Sequence, residues 1–560
     1  MNTLLTLHTP SAARGYYATG VWQQDTLYMR LAHHAVTRPD APALRDAHTR
    51  LTWSELRIWV DTLAHALDAL GLRHGDRVCV WLPNRVEATV VFLACSRNGY
   101  VCNPSLHQNY TAAEVLTLME RLSAVALFAQ QGYGSDANEE NIFARAHAVA
   151  SLKHLFSLAP PGSANGVAEG AQPFPRPDPQ LRPTLPVVDD PDKIVYLAFT
   201  SGTTGRPKGV MHSDNTLLAN GRSMVRDWQH DTSTILLSLS PLSHHIATVG
   251  IEQMLAAGFE MVVNDPPRGM RPIDWIIASG ATYVMGVPTH AIDILAELRA
   301  RGLKQLGRVK TFYMAGSTIP PATARSFLDL GITPQNIYGM TENGSHQYTL
   351  PTDDQNTITA TCGKACHGYE VKLWNAENHD IDVAAGQIGE IGGRGGVLTL
   401  GYFDNQAATE QSFNRHGWFM SGDLGRFDAN GNLEIVGRKK DVIIRGGHNI
   451  YPSQIEDHAK KHPDIRVAAA VPVADDRLGE RVCLAIITAN GTAMSGDAVL
   501  AHLAASGLSK YDMPELYIQM DAFPLTASGK VLKRELVEWL KSGRIKPAAV
   551  RWVAPAKGDA

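Results

Sequence analysis

The chain has 560 residues, enough for about three or four compact units at ordinary domain size. Apolar residues make up 44% and charged residues 19%, which excludes disordered, collagen-like and coiled-coil classes. Lys and Arg total 51 against 55 Asp and Glu, a formal charge of −4, so there is no global basic field for nucleic acid or an anionic membrane.

The N-terminus, MNTLLTLHTPSAARG, has neither a basic stretch nor a sustained apolar run, and no secretory signal is expected. No apolar run approaches the ~20 residues that span a bilayer. Thr52-Trp-Ser-Glu55 is a capping box, predicting a helix that runs to about Leu70 and ends at Gly71. VCVWLP (78–83) reads as a strand, and a helix over 85–98 is stopped by Gly99. A second box, Thr111 with Glu114, opens the helix carrying VLTLMERL, and VALFAQ is another strand. Strands alternating with helices predict an α/β domain with a largely parallel sheet. Residues 160–191 hold nine of the 31 prolines and read as an irregular surface connection.

IVYLAFT (194–200) is a continuous apolar run, as expected of a strand buried on both faces. The α/β alternation resumes to about residue 420. From Arg438 the composition shifts: GRKKDVIIRGG carries four basic residues, and a stretch with the strands VAAAVPV and VCLAIIT follows. The boundary is drawn at Lys440, giving units of 1–439 and 440–560. Six scattered cysteines (79, 95, 102, 362, 366 and 483) give no disulfide framework and predict a reducing, cytoplasmic setting. Cys362, Cys366 and His367 lack a second ligand pair at zinc spacing.

Directly after the buried strand stands TSGTTGRPKG, Thr200 to Gly209. Gly202, Gly205 and Gly209 let the backbone turn tightly and approach a ligand. The hydroxyls of Thr200, Ser201, Thr203 and Thr204 can donate to oxyanions, and Lys208 adds positive charge, which together suit a polyphosphate. The string is not a Walker A loop, because Lys208 is followed by glycine. Alone it could be a Gly/Thr turn.

Other segments recur in a definite order: Tyr338-Gly339-Met340-Thr341-Glu342, Gly417-Trp-Phe-Met-Ser-Gly-Asp423, Gly437-Arg438-Lys-Lys440-Asp441 and Pro524-Leu-Thr-Ala-Ser-Gly-Lys530. With TSGTTGRPKG, and with the N-terminal strings GDRV, LPN and YTAAE, they resemble the motifs of the adenylate-forming superfamily. That superfamily contains acyl-CoA synthetases, amino-acid adenylation domains and beetle luciferases. The resemblance runs from about residue 25 to 540. It implies a large N-terminal α/β domain of layered sheets and helices, followed by a small mobile α+β C-terminal domain.

The resemblance also implies roles. Lys208 and the loop hydroxyls would hold the β- and γ-phosphates of ATP. Glu342 would hold Mg²⁺, a hard cation preferring oxygen, while Thr341 contacts the phosphates. Tyr338 would stack on adenine, with Asn336, Gly316, Ser317, Gly339 and Met340 around the nucleotide. Asp423, assisted by Arg438, would take the ribose hydroxyls. Lys530 would bridge the α-phosphate and the attacking carboxylate, where charge concentrates. Lys440 would be the hinge, and Gly446 and Gly447 would let the backbone lie along the pantetheine arm of coenzyme A. Taken singly, each is an ordinary cap, turn or solvated residue; their co-occurrence in order carries the reading.

Adenylation domains for amino acids carry an aspartate after the strand equivalent to TILLSLSP, paired with the substrate ammonium. This chain has Ser243-His244-His245-Ile246 there and no carboxylate before Glu252. An unpaired buried ammonium would be costly, so a plain carboxylic acid is expected. His244 matches the family's aromatic or histidine gate. The walls would come from His244, His245, Val287, Ala315, Gly316, Gly339 and Met340, suiting a hydrophobic acid. YGMTENGSHQYTLPTDD and CGKACHGYEVKLW look most like cyclohexanecarboxylate–CoA ligases and medium-chain acyl-CoA synthetases. The reading is an AMP-forming acid–CoA ligase using ATP, Mg²⁺ and coenzyme A on a small carboxylic acid, with a homodimer as the candidate assembly. A stand-alone enzyme passing the acyl group to a carrier-protein thiol is the alternative.

Overall fold

The computed structural model describes residues 8–162, 167–200, 207–317, 319–489, 491–525 and 531–552. Two compact units emerge: 1–319 with 323–371 and 393–419, and 320–322 with 372–392 and 420–560.

The first unit holds two sheets. One has seven strands, in the order Gln172–Pro173, His154–Leu158, Ala126–Gln130, Arg77–Trp81, Val101–Asn103, Ile194–Thr200 and Lys208–Ser213. All neighbours run parallel except the last pair. Both expected capping boxes form, each with its reciprocal bonds, at the starts of the helices Trp53–Ala69 and Ala112–Leu122. The helix Val86–Asn98 is buried along its whole length and ends at Gly99. The described residues of the proline-rich connection are irregular apart from Gln172–Pro173, which adds a short exposed edge strand. An edge is where a proline without an N–H is tolerated.

The second sheet has nine strands. Its central six, Thr333–Met340, Thr311–Met314, Tyr283–Gly286, Ile235–Ser238, Glu260–Val263 and Pro42–Arg45, are parallel. Antiparallel strands close both ends. The helices Asp214–Trp228 and His245–Ala257 pack on one another, burying Leu218, Met224, Met254 and Leu255 completely. Each such side chain contributes roughly 1.5–3 kcal/mol of burial.

In the second unit, Ile465–Asp475 and Gly479–Thr488 pair antiparallel within a six-stranded sheet. The helices Pro452–Ala459 and Gly496–Ala505 bury Ile455 and Leu503 in a core with Ile443, Val482 and Leu484. The architecture is therefore a large α/β unit and a smaller α+β one. No helix among the described residues is long and apolar enough to cross a membrane.

Candidate active site

The hairpin of Ile194–Thr200 and Lys208–Ser213 sets Thr200 opposite Lys208. Ser201, Gly202, Thr203, Thr204 and Gly205, between them, lie outside the described residues, as does Lys530. The Nζ of Lys208 stands over the ring of Tyr402, 4.6 Å from its centroid. The Tyr402 hydroxyl donates to Oε1 of Glu342 at 2.9 Å. Glu342 is only 9% exposed, and its carbonyl accepts from the Thr399 N–H at 2.7 Å.

The parallel strands bring several expected residues to one edge. Ser238 pairs with Met285, Gly286 with Met314, and Met314 with Asn336. Val287, Ala315 and Gly316 thus follow neighbouring strand ends, and Tyr338 lies two residues past the last parallel pair of its own strand, at the end where open α/β sheets bind ligands. Ala315 donates to the Gly286 carbonyl at 3.3 Å. Ser317 is exposed. Tyr338 is buried and meets His346 edge-on, ring centroids 5.4 Å apart. The side-chain amide of Asn336 donates to the Ile358 carbonyl. Only glycine fits at 339, since a Cβ there would stand 1.8 Å from the Gly344 oxygen. The Met340 N–H donates to Oδ1 of Asn343 at 3.1 Å, closing the turn that carries Glu342.

The histidines form two stacks. His244 lies on His107, centroids 4.2 Å apart and planes 19° from parallel, with Nδ1 of His107 3.0 Å from the Ser243 hydroxyl. His245 lies on His212 at 5.5 Å and 16°, with its Nδ1 3.2 Å from the Tyr196 hydroxyl. Burial pushes His107 and His212 down to about 4, and His245 well below its ordinary value. His212 is therefore neutral near pH 7. Because a carbonyl only accepts, its Nε2 donates to Thr341 at 2.6 Å, leaving Nδ1 to accept from the Thr216 hydroxyl at 3.0 Å. His107, His212, Tyr196 and Tyr402 were not singled out in the sequence. Tyr402 stands in a GYF string whose only local signal is its glycine.

In the second unit, Asp423 and Arg438 face each other across antiparallel strands, with Nε 3.1 Å from Oδ1. Lys440 is exposed in a single helical turn, Lys439–Asp441. Gly446 and Gly447, with φ of 58° and 83°, form the two-residue turn of a hairpin that pairs Arg445 with His448. Left-handed values at both positions favour glycine there. Leu525 bridges Val531 on either side of the segment holding Lys530.

A family profile described as AMP-binding enzyme matches residues 31–403, and one described as AMP-binding enzyme C-terminal domain matches 454–530. The chain is 29% identical over 539 residues to a medium-chain fatty-acid–CoA ligase of Escherichia coli (strain K12), covering 95% of this chain and 93% of that one. It is 30% identical over 546 residues to a salicylyl-CoA synthase / salicylate adenylyltransferase of Streptomyces sp, covering 94% and 95%. The solved structure of ATP-bound MatB from Rhodopseudomonas palustris is similar with a TM-score of 0.80 at 27% identity, covering 93% of this chain and 99% of that one.

Proposed function

The chain belongs to the AMP-binding enzyme family, and on that premise we propose that it is an AMP-forming carboxylic acid–CoA ligase. The substrate carboxylate attacks the α-phosphate of ATP and displaces pyrophosphate. The sulfur of coenzyme A then attacks the acyl carbonyl, and AMP leaves. The observation that most supports this reading is the Lys208–Tyr402–Glu342 constellation, a cation and a carboxylate held on one buried ring.

Both reactants of the first step are anions, so positive charge and orientation are the main requirements. Lys208, with the hydroxyls of Thr200, Ser201, Thr203 and Thr204, holds the β- and γ-phosphates. Tyr338, Asn336, Gly316, Ser317, Gly339 and Met340 take the base, and Asp423 with Arg438 the ribose. Glu342 fits Mg²⁺: its carboxylate offers about four lone-pair sites, one of which takes the Tyr402 hydroxyl. The bound ion supplies charge neutralisation on the polyphosphate. Lys530 is assigned the α-phosphate, Lys440 the hinge of the C-terminal domain, and Gly446 and Gly447 the pantetheine arm.

The acid is hydrophobic: cycloaliphatic, aromatic or medium-chain. Val287, Ala315, Gly316, Gly339 and Met340 offer no charge, and His245 is held neutral by burial. A substrate ammonium would find no counter-ion among these wall residues. His244, stacked on His107, is the gate. The free, mostly buried thiols fit a reducing cytoplasm. The test is exchange of radiolabelled pyrophosphate into ATP, which should require Mg²⁺ and a hydrophobic acid. Exchange with amino acids but not plain acids would overturn the substrate reading, and none with either would overturn the reaction.

A further inference from the structure

Segment 399–403 approaches two of the groups assigned above from a distant part of the sequence. Its backbone runs along the strand of Lys208: Leu400 donates to Met211 at 2.9 Å, Met211 to Gly401 at 3.1 Å, and Phe403 to Gly209 at 2.7 Å. Val210 and Tyr402 form the bridge pair between them. The same segment holds the turn of Glu342. The Thr399 N–H donates to the Glu342 carbonyl, and its hydroxyl donates to the Met211 carbonyl at 2.8 Å. The Tyr402 N–H donates to the Thr409 hydroxyl at 3.0 Å.

The side chain of Tyr402 completes what its backbone begins. It is 7% exposed, its hydroxyl on Glu342 and its face under the Lys208 ammonium. One ring thus contacts two opposite charges, a cation on its face and a carboxylate at its hydroxyl. Lys208 has a long, flexible stem with several rotatable bonds, and the ring face gives its ammonium one fixed seat. An ionised carboxylate only accepts, so the phenol O–H is the donor in this pair.

We propose that Tyr402 is a positioning residue, aiming the Glu342 carboxylate through its hydroxyl and seating the Lys208 ammonium on its ring, so that both are oriented for a metal–nucleotide substrate. This rests on the ligase reading above. The hydroxyl acts on the metal side and the ring on the phosphate side.

The two parts separate in two variants. Tyr402→Phe keeps the ring and loses the hydroxyl. It should raise the half-saturating Mg²⁺ for pyrophosphate exchange about tenfold, the usual effect of losing a hydrogen bond to a charged group. Its affinity for α,β-methylene-ATP in EDTA, measured by calorimetry, should stay at the wild-type value. Tyr402→Leu should also weaken that metal-free affinity, by about threefold, as loss of a cation–π contact requires. The KM for the acid should not change in either. A Phe variant with wild-type Mg²⁺ dependence and wild-type analogue binding in Mg²⁺ would overturn the role, as would equal loss of metal-free and metal-dependent binding. Wild-type protein without exchange would instead refute the ligase reading, and the calorimetric comparison would still decide the role of Tyr402.

Discussion

Nε2 of His212 donates to the carbonyl oxygen of Thr341 at 2.6 Å, tying the strand that begins at Lys208 to the turn that carries Glu342. Removing the ring leaves a partly buried carbonyl without this donor. His212→Ala should lose about 1–3 kcal/mol of stability in urea unfolding. It should also slow exchange by roughly 10–100-fold through misplacement of Glu342, with the KM for the acid unchanged. A destabilised variant with full turnover would show that Glu342 does not depend on this bond.

Acid should destabilise the protein earlier than its surface charges alone would dictate. Burial lowers His34, His107, His212 and His230 to about 4. A histidine lowered on folding stabilises fully above its unfolded value near ~6.5, and that stability is lost as pH falls toward the folded value. The melting temperature should therefore drop between pH 7 and pH 5, with net proton uptake on unfolding. A flat profile over that range would contradict the neutral assignment of the buried rings.

Glu252 gives the opposite sign. It is wholly buried on the helix His245–Ala257, and neither carboxyl oxygen has a hydrogen-bond partner among the described residues. Burial raises it well above its ordinary value. Such a carboxyl costs nothing below the unfolded value of ~4.3, and the cost grows as pH rises toward the folded value. Glu252→Gln should therefore melt higher than wild type by a margin that widens from pH 4.5 to pH 7. A constant margin would mean that Glu252 is ionised and compensated.

The two half-reactions should separate by residue. Lys530→Ala should abolish adenylation while pre-formed acyl-adenylate is still converted by coenzyme A, measured in single turnover. Lys440→Pro should impair the two halves unequally. Equal loss in both for the Lys530 variant would remove its assignment to the α-phosphate, and unchanged rates for the Lys440 variant would remove the hinge from that position.

What the sequence makes legible is local. The boxes at Thr52 and Thr111 were readable because donor and acceptor lie three residues apart on a single turn. The strand Ile194–Thr200 was readable because burial on both faces demands an unbroken apolar run. The ring of Tyr402 beneath Lys208 was not, since their meeting depends on how 400–403 pairs with the strand of Lys208. The stack of His107 on His244 was hidden for the same reason: each ring is fixed by its own segment, and only the packed fold brings them together. The edge strand Gln172–Pro173 was missed because proline density outweighs any strand pattern two residues long. The assignments for Ser201, Gly202, Thr203, Thr204, Gly205 and Lys530 rest on motif resemblance, as these residues lie outside the described ones.

The most direct measurement is mass-spectrometric product analysis with ATP and Mg²⁺, with and without coenzyme A, across cycloaliphatic, aromatic and medium-length linear acids. The expected result is acyl-CoA and AMP together, strongest for one ring or chain class and dependent on coenzyme A. Acyl-adenylate that accumulates and ignores coenzyme A, or no acyl product from any hydrophobic acid, would contradict the assignment as an acid–CoA ligase.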